Sequence, residues 1–161
     1  MKHILTTVAV VVLSLAGSSL LMAQSIDPSY LGVWKLNLAK SKYTNPAPKS
    51  MTRTIEAQGN GLKGNFDGIA ADGSRIAYSF TTQLDGKPVP ISGSGIPGGA
   101  DMIAVKPLNS RTTTTTTTKG GKVVGTVRTE VSKDGKSTTQ TSKITDANGK
   151  TVTDVSVYDK Q

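Results

Sequence analysis

The chain has no cysteine. Disulfides, thiolate nucleophiles, Cys-ligated zinc and iron–sulfur clusters are therefore excluded. Its single histidine is His3, so none remains from Gln24 onward. That removes Ser-His-Asp and Cys-His catalysis, His-ligated zinc, a proximal-His haem and imidazole bases from the segment after Ala23. Carboxylate, lysine and tyrosine chemistry is all that is left to an enzyme. Aromatic residues are scarce, at 4%. Leu, Ile, Val and Phe account for 26 of the 138 residues from Gln24 onward, a share of about 19% that sits at the edge of the disordered range. Hydrophobic patterning, not composition, has to decide whether this chain folds.

The one long apolar run lies at the start. Met1-Lys2-His3 is a short positive segment, Ile4 to Ala16 is apolar, and Gly17-Ser18-Ser19 breaks the run before the small residue Ala23. This is the three-part layout of a secretory signal peptide. Residues 1–23 are expected to be that signal, and 24–161 a single exported domain with no membrane span of its own. Periplasm or extracellular space is the expected destination. The alternative is an uncut anchor, since Ile4 to Ala23 is about long enough to cross a bilayer.

After the signal, turn pairs recur: Gly59-Asn60-Gly61, Asp72-Gly73, Asp85-Gly86, Gly120-Gly121, Asp134-Gly135 and Asn148-Gly149. These residues tolerate the positive φ of tight hairpins. Between them the chain alternates. Ile76, Tyr78 and Phe80 share one face, Leu62 and Phe66 share another, Val123, Val127 and Val131 oppose Thr126, Arg128 and Glu130, and Val155 and Val157 oppose Asp154 and Ser156. Period two marks half-buried antiparallel strands. Strands are expected near 32–38, 50–58, 62–69, 74–82, 88–92, 101–108, 111–119, 123–132, 137–145 and 151–159. The proline-bearing stretch Leu38 to Ser50 reads as a loop, and Gly-rich Ser92 to Ala100 as a flexible loop near a barrel mouth. Closing such a meander into an up-and-down barrel of 8–10 strands removes its exposed edges. The expected fold class is thus all-β. The run Thr112 to Thr118 puts Thr on both faces of a strand and makes a polar stretch of wall.

Few motifs carry chemistry. Gly93-Ser94-Gly95-Ile96-Pro97-Gly98 matches G-x-G-x-x-G in form only, because Pro97 interrupts it and no βαβ pattern surrounds it. Asp146-Ala147-Asn148-Gly149 begins like a calcium loop but has no downstream Glu to complete it. Most of the 11 acidic residues fall in turns, and no pair suits acid–base work. No catalytic residue, metal site or cofactor is expected. Arg75 and Arg128 lie opposite apolar faces and should point to solvent. Net charge is +8, yet the lysines are scattered over turns without interleaved aromatics, which argues against a nucleic-acid platform. Weak contact with anionic envelope components is the most that charge implies.

Gly32-Val33-Trp34 opens the first strand with a ring suited to plugging a barrel end. Trp34-Lys35-Leu36 is followed by Ala39-Lys40-Ser41-Lys42-Tyr43, and the chain closes Val155-Ser156-Val157-Tyr158-Asp159-Lys160. In these features the chain resembles the calycins, the lipocalins and fatty-acid-binding proteins, and more closely small secreted bacterial lipocalin-like proteins. The resemblance implies a barrel with a cavity for a small apolar or amphipathic ligand. Fatty-acid-binding proteins usually end Arg-x-Tyr, with both side chains on a carboxylate. Here Ser156 replaces the Arg and only Tyr158 carries over. Phe66, Tyr78 and Phe80 are expected to line the cavity, Tyr158 to offer it a hydroxyl, and Trp34 to line or cap it. The expected function is non-catalytic carriage or sequestration of such a ligand outside the cytoplasm. The rival is a structural or interaction protein of the envelope, with a barrel packed by its own side chains and a basic binding face.

Overall fold

A computed structural model describes residues 26–145 and 148–161. The expected signal, 1–23, lies outside the described residues, as does the Asp146-Ala147 pair. The described chain forms eleven strands: β1 (Gly32–Leu36), β2 (Ser50–Gln58), β3 (Gly61–Ile69), β4 (Arg75–Thr82), β5 (Val89–Pro90), β6 (Ser92–Ser94), β7 (Met102–Asn109), β8 (Thr112–Lys119), β9 (Lys122–Val131), β10 (Ser137–Thr145) and β11 (Thr151–Lys160). All pair antiparallel in the order β5-β7-β8-β9-β10-β11-β1-β2-β3-β4-β6. The pairing of β11 with β1 joins the last strand to the first and curls the meander into a nearly closed barrel.

The seam lies between β4 and β7, and the chain itself fills it. Residues 83–94 climb through the gap. β5 pairs with β7, then β6 pairs with β4, with buried Ile91 between them. Two expectations change here. The 88–92 strand is split into two short ones, which makes eleven strands rather than 8–10. Ser92–Ser94, expected as part of a flexible loop, is a ladder strand. Its Ser and Gly residues carry no hydrophobic alternation because backbone pairing alone holds it. Ahead of β2, which begins at Ser50, the stretch 38–49 holds no strand, but a 3-10 turn at Leu38–Lys40 and a bridge between Lys42 and Val155 tie it to β11.

A third expectation fails at Val123, which is 61% exposed. The register of β8 against β9 slips between Thr117 and Thr118, where Gly125 and Val123 are successive partners. This bulge inserts a residue and reverses the alternation. Val124 packs against the core instead, while Gly125, Val127, Thr129 and Val131 share the inner face beyond it.

One end of the barrel is plugged. A 3-10 turn at Pro28–Tyr30 precedes β1. Trp34 is fully buried, and its indole N–H donates to the Tyr30 carbonyl at 3.1 Å. The Tyr30 hydroxyl bonds Thr113 Oγ1 on β8 at 2.8 Å, and Arg111 pairs with Asp27 at 3.1 Å. The plug is thus stitched across the barrel from β1 to the β7–β8 turn. Lys160 Nζ sits 5.1 Å from the centre of the Trp34 ring and donates to the Ser29 carbonyl.

Candidate functional site

The interior is not filled by its own side chains. A cavity of about 340 Å³ runs inside the barrel, at the small end of the ~300–1,000 Å³ typical of ligand pockets. Tyr30 lies at its plugged end. Pro46, Pro48, Ala70, Ala71, Ile96 and Pro97, from the β1–β2, β3–β4 and β6–β7 connections, line the other.

The wall has two arcs. β2, β3 and β4 contribute Met51, Ile55, Leu62, Ile76, Phe66, Tyr78 and Phe80, and Ile91, Ile103 and Val105 continue the apolar surface across the seam. The adjoining strands β8 to β11 contribute Thr115, Thr117, Thr129, Gln140, Ser142, Asp154 and Ser156, with Val127 and Ile144 the apolar exceptions. The Thr run therefore supplies alternate hydroxyls to the cavity from β8. Polar groups there are partly satisfied among themselves: Gln140 Nε2 donates to Thr129 Oγ1 at 3.1 Å, and the Tyr43 and Ser156 hydroxyls bond at 2.7 Å. The Thr117 hydroxyl is buried without a partner.

Phe66, Tyr78, Phe80 and Tyr158 all line this cavity. Register explains their meeting: Phe66 is opposite Tyr78, and Phe80 is opposite Gly64. The Phe66 and Tyr78 rings stack at 4.5 Å, and Phe66 and Phe80 centroids lie 5.9 Å apart. Gly64 keeps space for this, since a Cβ there would lie 3.0 Å from Phe80 Cζ. Trp34 is absent from the lining and sits in the plug. Alternation left the direction of β11 open. Asp154, Ser156 and Tyr158 face inward, and Val155 and Val157 take the other face.

Arg75 and Arg128 are surface groups, paired with Asp67 at 3.0 Å and Glu130 at 2.7 Å. Arg53 is different. It is 2% exposed and lines the cavity. Its guanidinium carbon lies 4.6 Å from the Tyr158 ring centre and 5.9 Å from that of Phe66. Nη1 donates to Thr138 Oγ1 at 3.3 Å, while Nε–H is buried without an acceptor. Sequence reasoning, which reads arginines as surface groups unless one is turned inward, does not assign this residue to the site, although a signal was present. Met51, Arg53 and Ile55 alternate on β2, and all three are buried.

Burial pushes the Tyr158 phenol up to about 12, with the nearby Arg53 charge opposing the shift. Burial also pushes Tyr78 well above its ordinary value; Tyr158 adds to this and Arg53 opposes it. Both phenols are therefore neutral hydrogen-bonding groups near neutral pH, and neither is poised as a base. Three of the shifted carboxylates sit in turns. Asp72 is held below the usual range by Ser74, Asp85 by Lys87 and Asp134 by Ser132. Asp154 reaches the lining, and its Oδ1 accepts from the Thr44 amide at 2.7 Å.

No family model matches the chain, and no curated protein sequence matches it. Solved structures do. A crystal structure of zebrafish ileal bile acid-binding protein in complex with cholic acid superposes with a TM-score of 0.53 at 16% identity, over 83% of this chain and 99% of that one. An eleven-stranded, nearly closed antiparallel barrel that overlays almost the whole of that protein has the calycin fold.

Proposed function

We propose that this protein is an exported, non-catalytic carrier that sequesters a small amphipathic molecule in its barrel. The observation that carries the reading is the two-faced cavity, with stacked aromatics on one arc and hydroxyls, the Gln140 amide and the Asp154 carboxylate on the other. Apolar pockets with a few placed polar groups bind small ligands by burying the apolar part and orienting the rest. A packed interior, as the envelope-protein rival requires, does not fit a 340 Å³ space. The zebrafish neighbour, described as binding bile acid and holding cholic acid, supports a small amphipathic molecule as the ligand class. The Lys2-to-Ala23 layout supports export.

Native mass spectrometry of the protein purified from its own source tests both parts. A co-purified small molecule at one per chain is expected, with an intact mass for the protein that begins near Gln24. A ligand-free protein that also fails to bind any apolar dye would overturn the carrier reading. A full-length species retained in membranes would overturn export.

A further inference from the structure

We infer that the ligand of this cavity is an anion whose charged group is received by Arg53. The inference rests on the carrier reading and adds the sign of the ligand's charge. A guanidinium carries five N–H donors and stays ionised at any ordinary pH. Buried charges are normally paired. Arg53 is buried to 2% exposure, and none of the ion pairs among the described residues includes it. Its hydrogen bonding to described residues consists of one long bond, 3.3 Å, from Nη1 to Thr138. Its Nε–H has no acceptor.

Aromatic rings hold the group in place without neutralising it. Tyr158 at 4.6 Å and Phe66 at 5.9 Å give a guanidinium favourable contact with ring faces. β2 is anchored on both sides, so the charge is fixed in position. Trp34 and Phe66 are the cross-strand partners of Arg53. The cavity thus contains a pre-placed positive charge beside an aromatic wall, and the one carboxylate in its lining, Asp154, accepts from the Thr44 amide and makes no ion pair with Arg53. An oxyanion attached to an apolar body supplies what is missing, with its charge on Arg53 and its body against Phe66, Tyr78 and Phe80. The site is independent of the Arg-x-Tyr arrangement, whose Arg position is Ser156 here. The cation comes from β2 and reaches Tyr158 from another strand.

Two dyes with one aromatic frame separate charge from apolarity. 8-Anilino-1-naphthalenesulfonate carries a sulfonate, and N-phenyl-1-naphthylamine lacks it. The sulfonate dye should bind the protein about tenfold or more tightly than the neutral one, as expected for a charge-assisted bond in a desolvated site. Arg53→Met should remove that preference while neutral-dye binding holds or improves. Arg53→Lys keeps the charge and guards against a folding defect in the first variant. It should retain a preference for the sulfonate dye, with weaker binding than the native protein. Equal binding of the two dyes to the native protein would overturn the anion assignment and leave the carrier reading standing. So would sulfonate binding that is unchanged in Arg53→Met and swept away by salt, since that pattern belongs to surface lysines. Binding of neither dye would overturn the carrier reading and this inference together.

Discussion

Trp34 and Arg53 are cross-strand partners, and both are almost wholly buried, yet they do opposite work. Trp34 closes the barrel. Its ring meets the Lys160 ammonium on one side, and its N–H is spent on Tyr30. Truncation to alanine leaves a ring-sized hole under a stitched plug that cannot collapse easily. Trp34→Ala should cost about 3–5 kcal/mol, measured by urea unfolding followed in the far ultraviolet. A loss under about 1 kcal/mol would mean that the plug is not packed as described. Arg53, one strand away, opens onto space rather than filling it. The aromatic residues of the site were legible in the sequence because a sparse set of rings falls on alternate positions of β3 and β4. Arg53 was not, because arginine is a surface residue by default and only its neighbours Met51 and Ile55 betray its face. The polar arc was hidden for a related reason. A run of threonines has no amphipathic period, so nothing in it says which hydroxyls turn inward.

At the scale of elements, the expected strand boundaries hold where hydrophobic alternation is uninterrupted, as in β4, and where turn pairs bracket a polar strand, as Asp134-Gly135 and Asn148-Gly149 bracket β10. They fail where the backbone breaks the period. The β8–β9 bulge turned Val123 outward, and no residue pattern announces a bulge. β6 was lost because its residues are Ser and Gly, which read as loop. The structure gives that strand a specific job as a clasp over the β4–β7 seam. Gly93 is its central residue, at φ +132, and any Cβ there would collide with the Ala77 carbonyl. Few residues but glycine adopt that conformation. Gly93→Ala should therefore detach β6 from β4 at a cost on the order of 1–3 kcal/mol. Hydrogen exchange would locate the damage. Amides of β4 and β6 should exchange faster, while the β9–β10 ladder stays protected. Unchanged protection across the seam would show that the clasp contributes nothing to closure.

At the scale of the whole molecule, a barrel with few apolar residues is closed by pairing its ends, and its interior is shared between core and cavity. That sharing makes alkaline stability a readout of the cavity. Tyr158 in the unfolded chain keeps its ordinary value of 10.0, whereas burial in the barrel raises it to about 12. The phenol is thus held neutral by the fold more strongly than by water. Between these values the unfolded chain loses this proton more readily than the folded one, so folding weakens as pH rises. The contribution from Tyr158 is fully present below pH 10 and is lost as pH climbs through about 12. Tyr78 shifts in the same direction and adds to the fall. The lowered carboxylates Asp27, Asp72, Asp85, Asp134 and Asp159 act only on the acid side, where their stabilisation is lost as pH falls below 3.8, and solvent screens them. The rest of the chain is common to the native protein and a Tyr158→Phe variant. Comparison with Tyr158→Phe therefore isolates the phenol. Urea midpoints measured from pH 8 to 12 should fall for the native protein above pH 10, and less steeply for Tyr158→Phe. Parallel curves would place the Tyr158 hydroxyl in water and remove it from the cavity wall.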